Sequence, residues 1–327
     1  MFLIRVSSGF SLGKGHINRC KRVRKSIKSK VVWFVDKGTK NFFFKHSKDK
    51  IYEEASIYSI IKLEKYIKKN KIKGLLIDMF SLQRDKIDKI ALINPTILIV
   101  DGNYQSKNTL NLCFHPIASN KNNFISGFKY FPLMMQKQYI KKSDLTKNIL
   151  VSFGNIDSSG LTEKIIIVLK NIFLDKALDS KIFKVNVVIG SYKKNRKLIE
   201  GLVSNNKNFK LHYNLTSLKN LYKNTYFAIG SPGFSQIERI EYGIPSVLIS
   251  QNKLHKVLLK YWNESNCALV AKNLNLDLTS KILYLLNSKK NRDKIKNNIS
   301  KSFDDKGGAR TIKKIESFCL EFRKSIN

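Results

Sequence analysis

The stretch FLIRVSSGFSLGKGHINR at residues 2–19 decides the fold of the first half of the chain. Its apolar run FLIRV predicts a buried strand, and the segment that begins near His16 predicts a helix. Between them, Gly13 and Gly15 allow a tight turn that brings backbone N–H groups close to a ligand. The spacing G-x-G-H-x-x-R differs from the G-x-G-x-x-G of a dinucleotide-binding loop, so a different ligand is expected.

Short apolar runs of this kind alternate with helical patterns along the chain. This alternation predicts parallel sheets covered by helices, the α/β class. The predicted strands are Phe2–Val6, Val31–Val35, Gly74–Asp78, Thr96–Asp101, Leu110–Phe114, Ile149–Phe153, Val185–Gly190, Tyr226–Gly230 and Ser246–Ser250. The predicted helices include Ser56–Lys69, Leu161–Phe173, Ser235–Tyr242 and a terminal helix over Ala309–Arg323.

A polar segment, Met134–Asn148, separates the two sets of strands and predicts a domain boundary. The expected domains are a Rossmann-like domain over residues 1–140 and a second domain over residues 141–327 that includes the terminal helix. Ligands bind beyond the carboxyl ends of the strands in such sheets. We therefore expect the two domains to face a cleft between them, with the functional residues placed after strands.

The composition describes a folded protein with an unusual charge. The chain has 327 residues, of which 43% are hydrophobic, and a formal net charge of +37. This charge would suit a nucleic-acid-binding protein, but the lysines are spread through predicted helices and loops without interleaved arginine and aromatic residues. We therefore expect an anionic small-molecule substrate and no nucleic-acid partner.

Cysteine spacing and hydropathy bear on the compartment. The four cysteines, Cys20, Cys113, Cys267 and Cys319, form no C-x-x-C pair, which argues against a zinc site and for buried thiols in a reducing compartment. The first residues lack the apolar core of a signal peptide, and no apolar run approaches the ~20 residues of a membrane span. A cytoplasmic protein without stable membrane insertion is expected.

Four residues in the first half follow or end predicted strands and carry candidate chemistry. His16 can move a proton near neutral pH, and Arg19, one turn later, can pair with a phosphate or a carboxylate. Asp78 and Asp101 end the apolar strands LLID and LIVD. Each carboxylate can orient a histidine or hold a sugar hydroxyl, or it can cap the next helix instead.

The second half has two candidate loops at the junctions of strands and helices. SFGNIDSSGLT at residues 152–162 and AIGSPGFSQIERIEYGIP at residues 228–245 each place small and polar residues before a predicted helix. Backbone N–H groups at such a helix start suit a diphosphate, and Glu238 is placed to accept bonds from ribose hydroxyls. The alternative is a simple tight turn followed by a solvent-facing glutamate.

In this order, these elements resemble the UDP-sugar hydrolases of pseudaminic acid biosynthesis, which are relatives of the MurG-type glycosyltransferases with the two-domain GT-B fold. IRVSSGFSLGKGHINRC matches the family's strand followed by G-x-G-H-x-x-R. Arg5 lies in the strand, and Cys20 directly follows the last residue of the motif. GFKYFPL, SFGNID, IERIEYGIP, Asn252 and DDKGGAR resemble further motifs of the family. The resemblance covers nearly the whole chain.

The resemblance implies a function and a set of site residues. His16 would be the general base that activates water to displace UDP from a diacetamido 6-deoxy sugar, in a monomeric enzyme that uses no metal or cofactor. The second domain would bind the UDP part of the nucleotide sugar. The implied substrate-binding residues are Gly13, Gly15, Arg19, Asp78, Asp101, Tyr130, Gly154, Asn155, Asp157, Ser231, Gly233, Ser235, Glu238 and Asn252.

Several positions depart from the family pattern. The diphosphate loop has Pro232 and Phe234 where the family has glycine and serine, which removes one N–H donor and one hydroxyl. Met79 and Phe80 replace two polar residues expected near the sugar. These departures predict an altered sugar pocket. A glycosyltransferase of the same fold, which uses an acceptor in place of water, is the alternative function.

Overall fold

The computed structural model describes residues 1–9, 15–45, 47–79, 84–101, 106–116, 121–136, 147–154, 157, 159–174, 182–190, 196–213, 215 and 217–326, apart from the side chains of Leu254 and Ile326. The chain divides into two compact units. The first unit combines Met1–Leu133 with Asp305–Asn327, and the second unit is Met134–Asp304. This division lies near the boundary predicted from the sequence, but the C-terminal segment belongs to the first unit and not to the second.

Within the described residues, seven parallel strands form the sheet of the first unit. They are β1 (Phe2–Val6), β2 (Val31–Asp36), β3 (Lys50–Glu54), β4 (Gly74–Asp78), β5 (Thr96–Ile99), β6 (Leu110–Cys113) and β7 (Phe124–Ser126). Their spatial order is β3-β2-β1-β4-β5-β6-β7, so the strand order reverses between β1 and β4. Strands β1, β2 and β4 are buried along their whole length, which explains their continuous apolar runs.

The helices of this unit begin with α1 (Gly15–Ser26), α2 (Lys40–Phe43), α3 (Ile61–Lys69) and α4 (Arg84–Ile93), and a short 3-10 helix spans Phe128–Tyr130. Helix α3 was predicted from Ser56 and begins five residues later. The reason is the carboxylate of Glu54, which accepts hydrogen bonds from the backbone N–H groups of Lys62 (3.2 Å) and Leu63 (2.7 Å) and so caps the helix start.

A second parallel sheet, of six strands in the part of the chain described, forms the centre of the second unit. Its strands are β8 (Lys147–Ser152), β9 (Phe183–Ile189), β10 (Phe209–Tyr213), β11 (Thr225–Gly230), β12 (Ser246–Leu248) and β13 (Leu269–Val270), in the order β10-β9-β8-β11-β12-β13. The order reverses between β8 and β11. The accompanying helices are α5 (Leu161–Leu174), α6 (Arg196–Val203), α7 (Lys219–Lys223), α8 (Phe234–Glu241), α9 (Lys253–Glu264), α10 (Leu276–Asn287) and α11 (Lys289–Ser302).

All nine predicted strands are present, with boundaries shifted by a few residues at most. The sequence did not predict β3, β7, β10 and β13. Strands β3 and β10 are edge strands, and KIYEE and FKLHY carry charged or half-exposed side chains in place of an apolar run. Strands β7 and β13 have three and two residues, too few to show a pattern.

The terminal helix, α12 (Gly307–Ile326), packs on α1 and on the 3-10 helix of the first unit. Two glycines at its start make this approach possible. A Cβ atom on Gly307 would lie 2.0 Å from the carbonyl oxygen of Phe131, and one on Gly308 would lie 2.3 Å from the Ser26 hydroxyl. The sequence predicted the helix but assigned it to the other domain, because its amphipathic pattern does not identify the surface that it covers.

Ile315 on the buried face of α12 is expected to contribute strongly to the stability of the first unit. Its side chain is 2% exposed, so Ile315→Ala should lower the free energy of unfolding by about 2–5 kcal/mol. Leu320→Ala is the matched control on the same helix. Leu320 is 57% exposed, and its truncation should change stability by no more than about 0.5 kcal/mol. Equal effects in urea unfolding would contradict this packing of α12.

Among the residues described, no helix is both long enough and apolar enough to span a membrane.

Candidate functional site

Four polar side chains meet at the carboxyl ends of β1, β4 and β5. His16 and Arg19 lie on the first turns of α1, which follows β1, while Asp78 ends β4 and Asp101 follows β5. The carboxyl ends of parallel strands lie at the same edge of a sheet, so residues far apart in sequence come together here. This cluster lies where the strand order reverses, the usual place for a ligand in an open α/β sheet.

His16 and Asp78 form a hydrogen-bonded dyad. The Nδ1 atom of His16 lies 2.6 Å from Oδ1 of Asp78, and the side chains are 16% and 0% exposed. An ionised carboxylate only accepts hydrogen bonds, so Nδ1 carries a proton and donates a hydrogen bond to Asp78. The contact of 3.1 Å between Arg19 Nη2 and this Nδ1 then joins two donors and holds no hydrogen bond. In the neutral imidazole with the proton on Nδ1, the lone pair is on Nε2, which can accept a proton.

Arg19 bridges two carboxylates that have different surroundings. Its Nε and Nη2 atoms donate to the two oxygens of Asp78 at 2.6 and 2.7 Å, and its Nη1 and Nη2 atoms donate to Asp101. The Asp78 side chain is fully buried, whereas that of Asp101 is 43% exposed. Asp78 is thus enclosed by protein donors, while Asp101 keeps part of its carboxylate open to a ligand.

The charges of the cluster support one another. Burial opposes ionisation of Asp78 and of Asp101, but the Arg19 guanidinium outweighs it and holds the pKa of both carboxyls below the usual range. Burial would likewise lower the pKa of Arg19, yet the two carboxylates raise it well above its ordinary value. All three groups are therefore charged at neutral pH.

This arrangement predicts a specific loss of stability in acid. The pKa of Asp78 is lower in the folded chain than its value of about 3.9 in the unfolded chain. The ion pair therefore stabilises the protein fully above about pH 4, and this stability is lost as the pH falls toward the folded-state pKa. Urea unfolding at pH 5 and pH 3 should show a smaller decrease for Asp78→Asn than for the wild type. Identical decreases would contradict the pairing.

Cys20 adds a weaker donor to the buried carboxylate. Its Sγ atom lies 3.5 Å from Oδ2 of Asp78. Burial raises the pKa of the Cys20 thiol well above its ordinary value, with a further contribution from the Asp78 charge. The thiol is therefore protonated and donates to Asp78, which makes Cys20 part of the support of the dyad.

Sequence reasoning missed His115, which follows β6. Its Nε2 atom lies 3.5 Å from Oδ1 of Asp101. The His115 side chain is 13% exposed. A histidine two residues after the buried strand LNLC was the available signal, since it lies at the same sheet edge as Asp78 and Asp101. The cluster thus contains two histidines joined through carboxylates and Arg19.

Arg5 in β1 holds the backbone that leads toward α1. It is fully buried, and its Nη2 atom donates to Oδ1 of Asp36 at 2.8 Å. The other oxygen of Asp36 accepts the backbone N–H groups of Ser8 (2.5 Å) and Gly9 (2.7 Å). The resemblance marked Arg5 without a role, and the structure gives it one: Arg5 and Asp36 anchor the start of the segment between β1 and His16.

The second unit places three of the implied residues around the start of α8. Ser231 is buried directly after β11, Gly233 precedes the first residue of α8, and Ser235 lies in its first turn. The backbone N–H groups at the start of a helix carry partial positive charge. This loop, Ser231–Ser235, is hereafter called the α8 loop. Farther along α8, Glu238 accepts a hydrogen bond from the Tyr222 hydroxyl at 3.0 Å.

Two of the implied substrate-binding residues cap helices. The carboxylate of Asp157 accepts the backbone N–H groups of Leu161 (2.9 Å) and Thr162 (2.7 Å) at the start of α5. Asn252 is the N-cap of α9 and accepts the backbone N–H of His255 at 2.9 Å. Both side chains therefore cap helices, and the binding of a substrate by them stays a prediction.

The other implied residues make none of these contacts, and two of them lie outside the part of the chain that the structure describes. Gly15 is the first residue of α1, and Gly154 follows β8 with a left-handed φ of 87°. Tyr130 ends the 3-10 helix, where its carbonyl oxygen accepts a hydrogen bond from the Thr311 hydroxyl at 2.5 Å. Gly13 and Asn155 lie outside the described residues. Nowhere in the described ranges do three or more His, Cys, Asp or Glu side chains form a group that could hold a metal ion.

Comparisons with known proteins bear on the fold. No family model matches the chain. An uncharacterized protein of Methanocaldococcus jannaschii, MJ1062, is 26% identical over 279 residues, which are 75% of this chain and 54% of that protein. The chain therefore spans about half the length of the curated relative that it matches.

Solved structures resemble the whole chain. A complex of S. aureus MnaA with UDP superposes with a TM-score of 0.73 at 12% identity, covering 98% of this chain and 97% of that one. Acinetobacter baumannii MurG gives a TM-score of 0.67 at 11% identity, covering 97% and 99%. The chain has the GT-B fold. Its two Rossmann-like parallel-sheet units confirm the fold class predicted from the sequence.

Proposed function

We propose that the chain hydrolyses a UDP-sugar, with His16 as the general base. The observation that carries this proposal is the His16–Asp78 dyad, in which a buried carboxylate holds Nδ1 and leaves Nε2 as the proton acceptor. Its place at the carboxyl ends of β1 and β4 is where a GT-B unit would present a base to a ligand. The resemblance of GKGHINR to the hydrolases of pseudaminic acid biosynthesis points to the same residue.

The reaction exchanges one bond at the anomeric carbon for another. Nε2 of His16 removes a proton from water as the water oxygen forms a bond to the anomeric carbon, while the bond from that carbon to the diphosphate oxygen breaks. UDP leaves with the electron pair of the broken bond. Asp78 stabilises the imidazolium that forms, because its charge lies 2.6 Å from Nδ1. Arg19 keeps Asp78 ionised and in place.

Binding is divided among the remaining residues. The partly exposed carboxylate of Asp101 accepts hydrogen bonds from the sugar, for which a diacetamido 6-deoxy sugar is proposed from the family resemblance. Backbone N–H groups of the α8 loop, to which Pro232 contributes none, donate to the diphosphate, and Glu238 accepts hydrogen bonds from the ribose hydroxyls. The four cysteines are free and buried, which suits the reducing cytoplasm proposed for this monomeric enzyme of bacterial surface-sugar biosynthesis.

Glycosyl transfer is the second candidate function. The same dyad could remove a proton from an acceptor hydroxyl in place of water, and the likeness of the fold to that of MurG favours keeping this candidate. The two functions differ in one requirement, since only a transferase needs a second substrate for turnover.

The test is an assay of the purified chain with UDP-activated amino- and diacetamido-sugars, without acceptor or metal, in water labelled with oxygen-18. Hydrolysis predicts equal amounts of UDP and free sugar, with the label on the anomeric carbon. Tight binding of a UDP-sugar without release of UDP would reject hydrolysis and favour transfer. Release of UDP with the label on phosphate would reject attack at the anomeric carbon.

A further inference from the structure

Arg239 on α8 lies at the carboxyl ends of the two central strands of the second unit. Its side chain is fully buried, and its Nη2 atom donates to the carbonyl oxygen of Ser231 at 2.5 Å. A Cβ atom on Gly230, the last residue of β11, would lie 2.3 Å from Arg239 Nη1 and 2.1 Å from the carbonyl oxygen of Ser152 in β8. The guanidinium therefore lies against β11 and β8, directly behind the α8 loop.

This buried cation has no counter-ion within the described residues. Its Nε and Nη1 atoms have no hydrogen-bond acceptor there, and the Glu238 carboxylate attracts the guanidinium without forming an ion pair with it. Burial lowers the pKa of Arg239 to about 10, so the group stays charged at neutral pH. One turn earlier, the buried amide of Gln236 also has both polar atoms without a partner in the described part of the chain.

The guanidinium groups of the other buried arginines have more partners than that of Arg239. Arg5 pairs with Asp36, and Arg19 pairs with two carboxylates. In the second unit, Arg292 is 5% exposed, donates to the carbonyl oxygens of Leu285 and Leu286 and lies over the Tyr226 ring at 3.9 Å. An uncompensated buried charge is costly, so a protein that keeps one at the strand-order reversal of a sheet is built to receive the opposite charge there.

We propose that Arg239 is a positioning residue for a nucleotide diphosphate. Its buried charge is neutralised by the diphosphate held at the α8 loop, and its bond to the Ser231 carbonyl fixes the loop whose N–H groups contact that ligand. This inference rests on the proposed binding of UDP in the second unit but is independent of whether the UDP-sugar is hydrolysed. It also explains why residue 230 is glycine, since any side chain there would displace the guanidinium.

The experiment measures binding of inorganic pyrophosphate and of UDP to the full chain by calorimetry at 0.15 M salt, together with urea unfolding of the ligand-free protein. Arg239→Met is expected to weaken the affinity for both ligands by about 10- to 100-fold, the usual effect of losing a bond to a charged group. Arg239→Lys should lose less affinity for both ligands than Arg239→Met, because lysine keeps the positive charge. Ligand-free Arg239→Met should be no less stable than the wild type, because an uncompensated buried charge has been removed.

Arg292→Met is the matched control, because it removes one buried positive charge from the same unit. This variant should be less stable, because it loses the hydrogen bonds to the two carbonyl oxygens, and it should keep the wild-type affinity for pyrophosphate. Three results would overturn the inference: equal pyrophosphate affinity in Arg239→Met and the wild type, a stability loss in Arg239→Met equal to that of Arg292→Met, or no binding of either ligand by the wild type. Pyrophosphate binding that depends on Arg239, without hydrolysis of any UDP-sugar, would support it and reject the proposed reaction alone.

Discussion

His16→Asn is expected to lower the turnover of a UDP-sugar by about 10²–10⁴-fold, the usual contribution of a general base. The side-chain amide of asparagine can donate a hydrogen bond to Asp78 as Nδ1 does, but it has no basic nitrogen in the position of Nε2. UDP affinity should be unchanged, because the proposed diphosphate contacts are in the α8 loop of the second unit. The measurement is steady-state release of UDP, together with calorimetric titration of UDP.

The control for this variant is His212→Asn. His212 is a half-buried histidine on β10, where its Nε2 atom lies 2.8 Å from Oδ1 of Asn186, and it has no part in the proposed chemistry. It should keep wild-type turnover. Wild-type turnover in His16→Asn would remove His16 as the base, and an equal decrease in both variants would attribute the effect to folding.

Asp78→Asn is expected to affect both catalysis and stability. An amide beside His16 presents an N–H group as readily as an oxygen, so it no longer selects the tautomer with the proton on Nδ1. In a serine protease triad the equivalent change lowers turnover by about 10⁴-fold, and a decrease of that order is expected here. Loss of the buried partner of Arg19 should also lower the free energy of unfolding by about 3 kcal/mol, the low end for a broken buried pair, because Asp101 still pairs with Arg19.

The two effects of Asp78→Asn can be separated by temperature and by a second variant. Turnover is measured at a temperature where circular dichroism shows the variant to be folded. Asp49→Asn breaks a different ion pair of the first unit, with Arg24, in which the Asp49 side chain is 15% exposed. It should lower stability and keep turnover. If Asp78→Asn also kept turnover while folded, Asp78 would be a structural residue and the dyad would have no role in the reaction.

Much of the first unit's site was predictable because parallel strands have a simple geometry. His16, Arg19, Asp78 and Asp101 each follow or end an apolar run, and strand ends that share a direction share a sheet edge. The spacing of His16 and Arg19 by one helical turn made their common orientation predictable as well. His115 was missed because a single histidine after a strand has no spacing partner in the sequence.

In the second unit, the sequence does not reveal which polar side chains bond to the backbone. Asp157 and Asn252 precede helices. The residue types that cap a helix start are the same as those that bind a ligand there, so the sequence does not distinguish the two roles. Only coordinates distinguish these roles, and they show both side chains bonded to backbone N–H groups. The sequence did not identify Arg239 as a candidate for a related reason. An arginine in a helix is usually a surface residue, and the burial of Arg239 could not be inferred from IERIEYG.

The sequence by itself determined the α/β class, nine strands and the residues at the carboxyl ends of β1, β4 and β5. These follow from local patterns of apolar side chains, which the backbone converts into strands and helices without reference to the rest of the chain. Only the tertiary structure decided that α12 packs on the first unit, that Arg19 joins two carboxylates and that Arg239 is buried with no counter-ion among the described residues. Those facts depend on contacts between distant segments, where close packing and the cost of burying charge select one arrangement.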